Sequence, residues 1–244
     1  MSARASAKIF GGKLRLILPV LIILILKLLA SVFIYQRLSI LGSFFTPWME
    51  TWGKGGPALW WLYLFSAQDT GFYVALAAAW YSYPMYVFFP AYPVICKLIG
   101  ALIGDFWLSA FLVSFILGLA SLPLFQIVAE SYMSRSEAAA STMLVGVFPY
   151  VFLFTTVSYT ESLFLFSTLA TWYFYVRGRL VPSVLAATLA TLTRTYGVAI
   201  VVPVAIGLLA KRKFKQLPLC ALPVLALLGW MYYLYMMTGD LFVF

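Results

Sequence analysis

Long apolar runs alternate with short polar connections along this chain, and several runs are near the length of a bilayer crossing. A helix needs about 20 predominantly apolar residues to cross the hydrocarbon core. The first run is 16–34, preceded by Arg4, Lys8, Lys13 and Arg15. It is longer than a signal-peptide core and has no small-residue cleavage site. Further runs cover 105–129, 138–157, 162–176 and 217–237. Within 180–210 the segment Thr193-Arg194-Thr195-Tyr196-Gly197 interrupts the pattern, which predicts two short helices in place of one. The expected architecture is all-α, a polytopic membrane helix bundle of about seven spans. It forms a single transmembrane domain over 1–244, with 1–15 as a cytoplasmic N-terminus.

One long stretch, 37–104, does not fit a span and is rich in Trp, Tyr, Gly and Pro. A loop of this length in a compact protein is functional or structured. Trp60, Trp61, Tyr63 and Phe65 are expected to form an interfacial helix face, because such rings favour the headgroup level. Pro84, Pro90 and Pro93 are expected to break helices. Lys27 lies inside the first run, where its stem either snorkels to the interface or faces the bundle.

The basic residues orient the bundle. With the N-terminus inside, 11 of the 16 Lys and Arg residues fall on inner segments. Four (Arg37, Lys54, Lys97 and Arg194) fall outside, and Lys27 lies within a span. This obeys the positive-inside rule. A single helix over 180–210 would move the cluster 211–215 outside and put Arg194 near mid-bilayer, so two helices are preferred.

Composition agrees. The chain is 64% hydrophobic and only 9% charged, whereas soluble domains are roughly half apolar and about a quarter charged. A water-soluble domain is excluded, and the net charge of +9 reports inner loops, not a nucleic-acid partner. There is no histidine, so a general base must be a carboxylate, a perturbed lysine or a tyrosine. Cys96 and Cys220 give neither a zinc pattern nor a disulfide framework.

The topology delivers Asp69, Glu161, Arg194 and Asp240 to the outer side, each beside a helix end. Ionisable groups at membrane depth default to functional hypotheses. From the residues alone this reaches an outward-facing polar site beside a membrane, and names no substrate. A hard cation could bind oxygens of Asp69, Glu161 and Asp240, but no ligand-spaced motif indicates one, and no cofactor is expected.

The outer segments, in order, resemble those of the GPI mannosyltransferase 2 (PIG-V type) family of GT-C glycosyltransferases. Gln68-Asp69-Thr70-Gly71-Phe72-Tyr73 is similar to its first-loop motif, an aspartate followed by an aromatic pair. Phe88-Phe89-Pro90-Ala91-Tyr92-Pro93 and Tyr159-Thr160-Glu161-Ser162-Leu163-Phe164 are similar to its FFPLYP and YTESLF segments. Thr193-Arg194-Thr195-Tyr196-Gly197 and Thr238-Gly239-Asp240 are similar to its TRPTG and TGDP segments. Gln68 stands where the family has tryptophan, and Thr195 where it has proline. Family members continue beyond TGD with further spans, so the C-terminal spans are expected to be missing from these 244 residues.

The resemblance implies a GT-C-like fold and inverting transfer of a sugar, mannose in that family. The donor is a polyprenyl-phosphate sugar and the acceptor a lipid or glycan hydroxyl on the outer or lumenal face. It implies Asp69 as general base and Arg194 on the departing phosphate, with Glu161 orienting the acceptor or holding Arg194. Tyr73, Tyr92 and Tyr159 stack on sugar or line the lipid groove, with an aromatic belt as the alternative, and Asp240 is the weakest substrate-binding candidate. The expected partners are donor, acceptor, membrane lipids and a possible second membrane subunit. The competing readings are a partner-dependent or non-catalytic subunit and a secondary transporter, which would hold its charges along a central path.

Overall fold

The computed structural model describes residues 3–41, 56–67 and 69–244, and at 3–14, 34, 35 and 37–41 the backbone alone. The side chains of Arg37, Lys54 and Gln68 lie outside the described residues. Helix α1 (Ala3–Leu41) contains the apolar segment Arg15–Phe33. A 3-10 turn (Trp60–Phe65), α2 (Thr70–Ala79), a second 3-10 turn (Met85–Val87) and α3 (Ala91–Ile103) make up the following region. Then come α4 (Phe106–Ala129), α5 (Arg135–Val147), α6 (Pro149–Phe154), α7 (Glu161–Val176) and α8 (Leu180–Thr191). A 3-10 turn (Thr195–Ile200) leads into α9 (Val201–Ala210), and another (Phe214–Cys220) into α10 (Ala221–Thr238). No strand occurs among the described residues.

Three of these segments are long and apolar enough to cross a membrane: Arg15–Phe33, Phe106–Ala129 and Phe214–Thr238. The chain is a membrane protein by that measure. Helix α4 sits at the centre, packed on α1, α3, α5 and α7, while α7 packs on α8 and α8 on α10. Small residues make these approaches possible. Buried Ser109, Ala110, Ser114, Gly118 and Ser121 lie on α4, and Ser162, Ser167, Ala170 and Thr171 on α7. Buried Ser183, Ala186, Ala187 and Ala190 line α8. Such residues let helix backbones meet closely where the surrounding solvent is itself apolar.

The connections at one end are tied together. Arg15 pairs with Glu130 at 3.1 Å, and Trp172 Nε1 donates to Tyr132 Oη at 2.9 Å. Lys211 Nζ lies 5.1 Å from the Tyr175 ring. The start of the first apolar segment, the connection after α4 and the ends of α7 and α9 therefore lie close to one another.

Several expected elements differ. The run 138–157 is not one helix, because the chain breaks between α5 and α6 at Phe148-Pro149. Proline disfavours the α conformation at the preceding residue, and Phe148 is extended (φ −57°, ψ 124°) while Pro149 starts the next helix. Helix α7 has 16 residues, short of the about 20 a perpendicular crossing requires. Pro90 and Pro93 open α3; neither terminates a helix. The Trp60–Phe65 turn leaves Trp60 exposed and turns part of its apolar surface inward. Leu62 and Phe65 are buried, with Trp61 and Phe65 ringed against Phe111 of α4 at 5.2 and 4.7 Å. The division of 180–210 at Thr193–Gly197 does occur, as α8 and the 3-10 turn into α9.

Candidate functional site

Helix α6 ends at Phe154 and the chain runs as turns to Glu161, where α7 begins. This segment is not a surface loop. Thr155, Thr156, Ser158 and Thr160 are all buried. Gly118 makes room for it: a side-chain carbon there would lie 2.8 Å from the Thr155 carbonyl oxygen. Gly118 is twelve residues into α4, roughly 18 Å along its axis at 1.5 Å per residue. Irregular backbone at such depth must have its polar groups satisfied by protein. Here Ser158 N–H donates to the Phe65 carbonyl at 2.8 Å, and Ser114 Oγ donates to the Tyr159 carbonyl at 2.8 Å. Thr70 Oγ donates to the Ser158 carbonyl at 3.4 Å. The turn is thus pinned to the Trp60–Phe65 turn, to α2 and to α4 together.

These bonds bring three sequence-distant motifs to one place. Asp69 caps α2, and its backbone N–H donates to Tyr159 Oη at 3.0 Å. Its side chain makes no capping bond, and among the described residues no group bonds its carboxylate oxygens. Arg194 follows α8 and ion-pairs with Glu161 Oε1 at 2.5 Å. It also donates to Thr160 Oγ from Nε at 3.2 Å and from Nη2 at 3.0 Å, and to Tyr196 Oη at 2.6 Å. Thr160 Oγ in turn lies 3.5 Å from Tyr73 Oη. Thr160 is therefore the hub between Tyr73 and Arg194. Although it belongs to the Tyr159-Thr160-Glu161 motif, a neutral threonine was not singled out in the sequence.

Gly197 explains why the Arg194 turn is so tight. Its Cα side is closed by the last turn of α8, where an added carbon would sit 2.2 Å from the Ala190 carbonyl oxygen. Backbone atoms cannot yield, so a side chain at this position would push the turn, and Arg194 with it, away from Glu161.

Burial raises the Asp69 carboxyl above its ordinary value, and the positive charge of Arg194 opposes that rise in part. A carboxylate that is half-buried, unbonded and near a fixed cation has the environment a general base requires.

Arg194 and Tyr196 stand between two cavities. The first, about 240 Å³, is lined by Tyr73, Phe88, Phe89, Thr160, Thr193 and Thr195 besides them. The second, about 300 Å³, is lined chiefly by Tyr150, Val151, Phe154, Phe164 and Leu165, with Glu161 at its edge. Arg194 thus lines both a hydroxyl-rich cleft and an apolar one.

No family model, curated protein or solved structure matches this chain. The site therefore rests on its own geometry.

Asp69, Glu161, Arg194, Tyr73 and Tyr159 are brought together. Tyr92 meets the group through the edge of its ring, 5.0 Å from Tyr73, and Asp240 has no contact with it among the described residues. Tyr92 has no exposed surface, and its hydroxyl donates to the Ala110 carbonyl at 2.9 Å and lies 2.7 Å from Ser114 Oγ. It cannot stack on a sugar in this arrangement; it braces Ser114, which holds the Tyr159 carbonyl. Tyr92→Phe is expected to cost about 1 kcal/mol of stability, read as a lower unfolding midpoint. Asp240 is exposed, and its Oδ1 accepts from the Phe242 backbone N–H at 2.8 Å. It folds onto its own turn, and Phe244 beyond it packs on Phe89 at 5.4 Å. No three Asp, Glu or Cys side chains converge among the described residues, and Glu161 gives one oxygen to Arg194.

Proposed function

We propose that this chain carries out inverting transfer of a sugar, mannose by its resemblance to the PIG-V-like family, from a polyprenyl-phosphate donor to an acceptor hydroxyl of a lipid or glycan. The observation that carries the reading is that Asp69, whose carboxylate bonds to no described group, is tied through Tyr159 to the turn that holds the Arg194–Glu161 pair and feels the Arg194 charge, while Arg194 itself lines both a polar and an apolar cavity. Inverting transfer needs a base for the acceptor proton and a positive group for the departing phosphate. Asp69 takes the proton from the acceptor hydroxyl as its oxygen attacks the anomeric carbon. The bond to the lipid phosphate breaks, and the fixed positive charge of Arg194 stabilises the charge growing on the departing phosphate. Glu161 and Thr160 hold the guanidinium plane. The hydroxyl-rich cleft takes sugar and phosphate, and the apolar one takes the first isoprenoid units. In this reading the GT-C-like bundle has about seven crossings, an inner basic end and an outer or lumenal site.

The test is transfer from polyprenyl-phosphate-mannose to a membrane lipid extract by the purified full chain. Asp69 works only when ionised, so activity is expected to hold at high pH and fall as pH drops through its raised pKa. The acid limb therefore lies above the ordinary aspartate value near about 3.9. A limb at or below that value would remove Asp69 from the role.

One observation favours a second reading, a secondary transporter: broken helices at mid-depth of a bundle are also how transporters build their sites. Uptake into liposomes without sugar transfer selects it. Transfer restored only by a second membrane chain selects a partner-dependent subunit.

A further inference from the structure

Lys27 lies in the middle of the apolar segment Arg15–Phe33 and is 1% exposed. It does not snorkel. Its Nζ reaches across from α1 to the turn after α6, donating to Thr155 Oγ at 2.7 Å, Thr156 Oγ at 2.9 Å and the Phe152 carbonyl at 3.1 Å. Three ammonium protons thus meet three acceptors, the full donor capacity of the group. The two threonine hydroxyls direct their own protons backward, to the Val151 and Phe152 carbonyls. Their lone pairs are left for the lysine. Among the described residues no carboxylate pairs with it. The negative end of α6 and the Phe152 ring, 5.3 Å from Nζ, face the charge instead.

A buried cation so deep in a bundle is costly and needs a reason. The turn it grips gives one. Thr155 and Thr156 lead within five residues to Tyr159, Thr160 and Glu161. Tyr159 receives the Asp69 N–H, and Thr160 and Glu161 receive Arg194. On the other side the turn is pressed on Gly118 of α4. With α1 and α4 each holding it at the middle of the bundle, the turn has little freedom along their axes.

We infer that Lys27 is a positioning residue of the site, anchoring the Thr155–Thr156 turn so that Tyr159, Thr160 and Glu161 hold Asp69 and Arg194 in register. The inference deepens the transferase reading and rests on it for the word site; the anchor itself does not depend on activity. Lys27→Met is the apt variant. It keeps the stem and its volume, and each threonine hydroxyl retains its own carbonyl partner, so no donor is stranded.

The experiment compares wild type, Lys27→Met, the Thr155→Val/Thr156→Val pair and the combination of all three, as full chains in nanodiscs. Two readouts are taken: amide hydrogen exchange and sugar transfer against pH. Lys27→Met is expected to speed exchange in 155–161 and 65–70 while 106–118 and 180–190 keep their protection. Transfer is expected to fall about tenfold to a hundredfold in kcat, the scale of a small misplacement of reacting groups, with KM little changed. The acid limb moves to higher pH, because a loosened Arg194 no longer opposes the rise at Asp69. The threonine pair is expected to give the same changes from the other side, and the combination no further loss.

Unchanged exchange in 155–161 would overturn the anchor. Faster exchange with unchanged kcat and acid limb would overturn the positioning role. So would a loss of transfer amplitude that leaves the pH profile in place, since that is what a smaller folded fraction produces. If Lys27→Met does not fold, the threonine pair cuts two of the three bonds without touching α1 and decides the question by the same criteria. If wild type transfers no sugar, the reading of this chain as a transferase on its own fails and the exchange arm alone decides whether the anchor exists.

Discussion

Asp69→Asn is expected to lower sugar transfer at least about a hundredfold, the low end of what a general base contributes, with little change in folding. The amide keeps the size and shape of the carboxylate but cannot take a proton at neutral pH. The structural cost is small for a specific reason. The Asp69 carboxylate caps nothing and bonds to no described group, while the bond to Tyr159 comes from the backbone N–H, which the substitution leaves alone. Loss of transfer with an unchanged unfolding midpoint would therefore report chemistry. Equal transfer by both proteins would sink the assignment of Asp69 and leave the transferase. No transfer by either, with both folded, would point to a partner chain.

Arg194→Gln is expected to have an effect of similar size through a different route. Removing one preorganised group that stabilises a developing anion costs on the order of a hundredfold to a thousandfold, and Arg194 is the fixed cation that Thr160, Glu161 and Tyr196 hold at the site. It also strands Glu161, whose side chain is only 11% exposed. Leaving one member of such a pair uncompensated costs about 3 kcal/mol, so this variant is expected to unfold at a lower temperature. The Arg194→Gln/Glu161→Gln double variant separates the two effects, because it leaves no unpaired charge. Its unfolding midpoint is expected to recover while transfer stays lost. Recovery of transfer in the double variant would mean that the pair serves the fold alone. In the single variant the acid limb is expected to move up further, since Arg194 is the charge that opposes the rise at Asp69.

Much of the helical order was legible because apolar length and charge are properties of the chain itself. The spans at Arg15–Phe33, Phe106–Ala129 and Phe214–Thr238 follow from hydropathy. The division at Thr193–Gly197 followed from the cost of carrying Arg194 and the basic cluster 211–215 across a bilayer. The break at Phe148-Pro149 was visible as a proline and yet passed over, since apolar residues on both sides continue the hydrophobic run. Composition measures preference for lipid. It does not register a local change of backbone direction.

For the site, the sequence by itself determined which side chains had chemistry to offer. With no histidine present, ionisable residues beside helix ends were few, and Asp69, Glu161 and Arg194 were among them. What only the tertiary structure decided was their company. Tyr92 and Tyr159 sit in similar aromatic motifs, but one is sealed against α4 and the other bonds the Asp69 backbone. Asp240 ends a motif like the rest, yet turns its carboxylate to its own backbone. Lys27 could snorkel or face inward on sequence grounds, and the choice depended on Thr155 and Thr156, 128 and 129 residues away. Burial and pairing are set by what another helix presents across a gap of a few ångströms. Hydrophobic pattern encodes that a face is covered, while the identity of the covering groups exists only once the helices have packed.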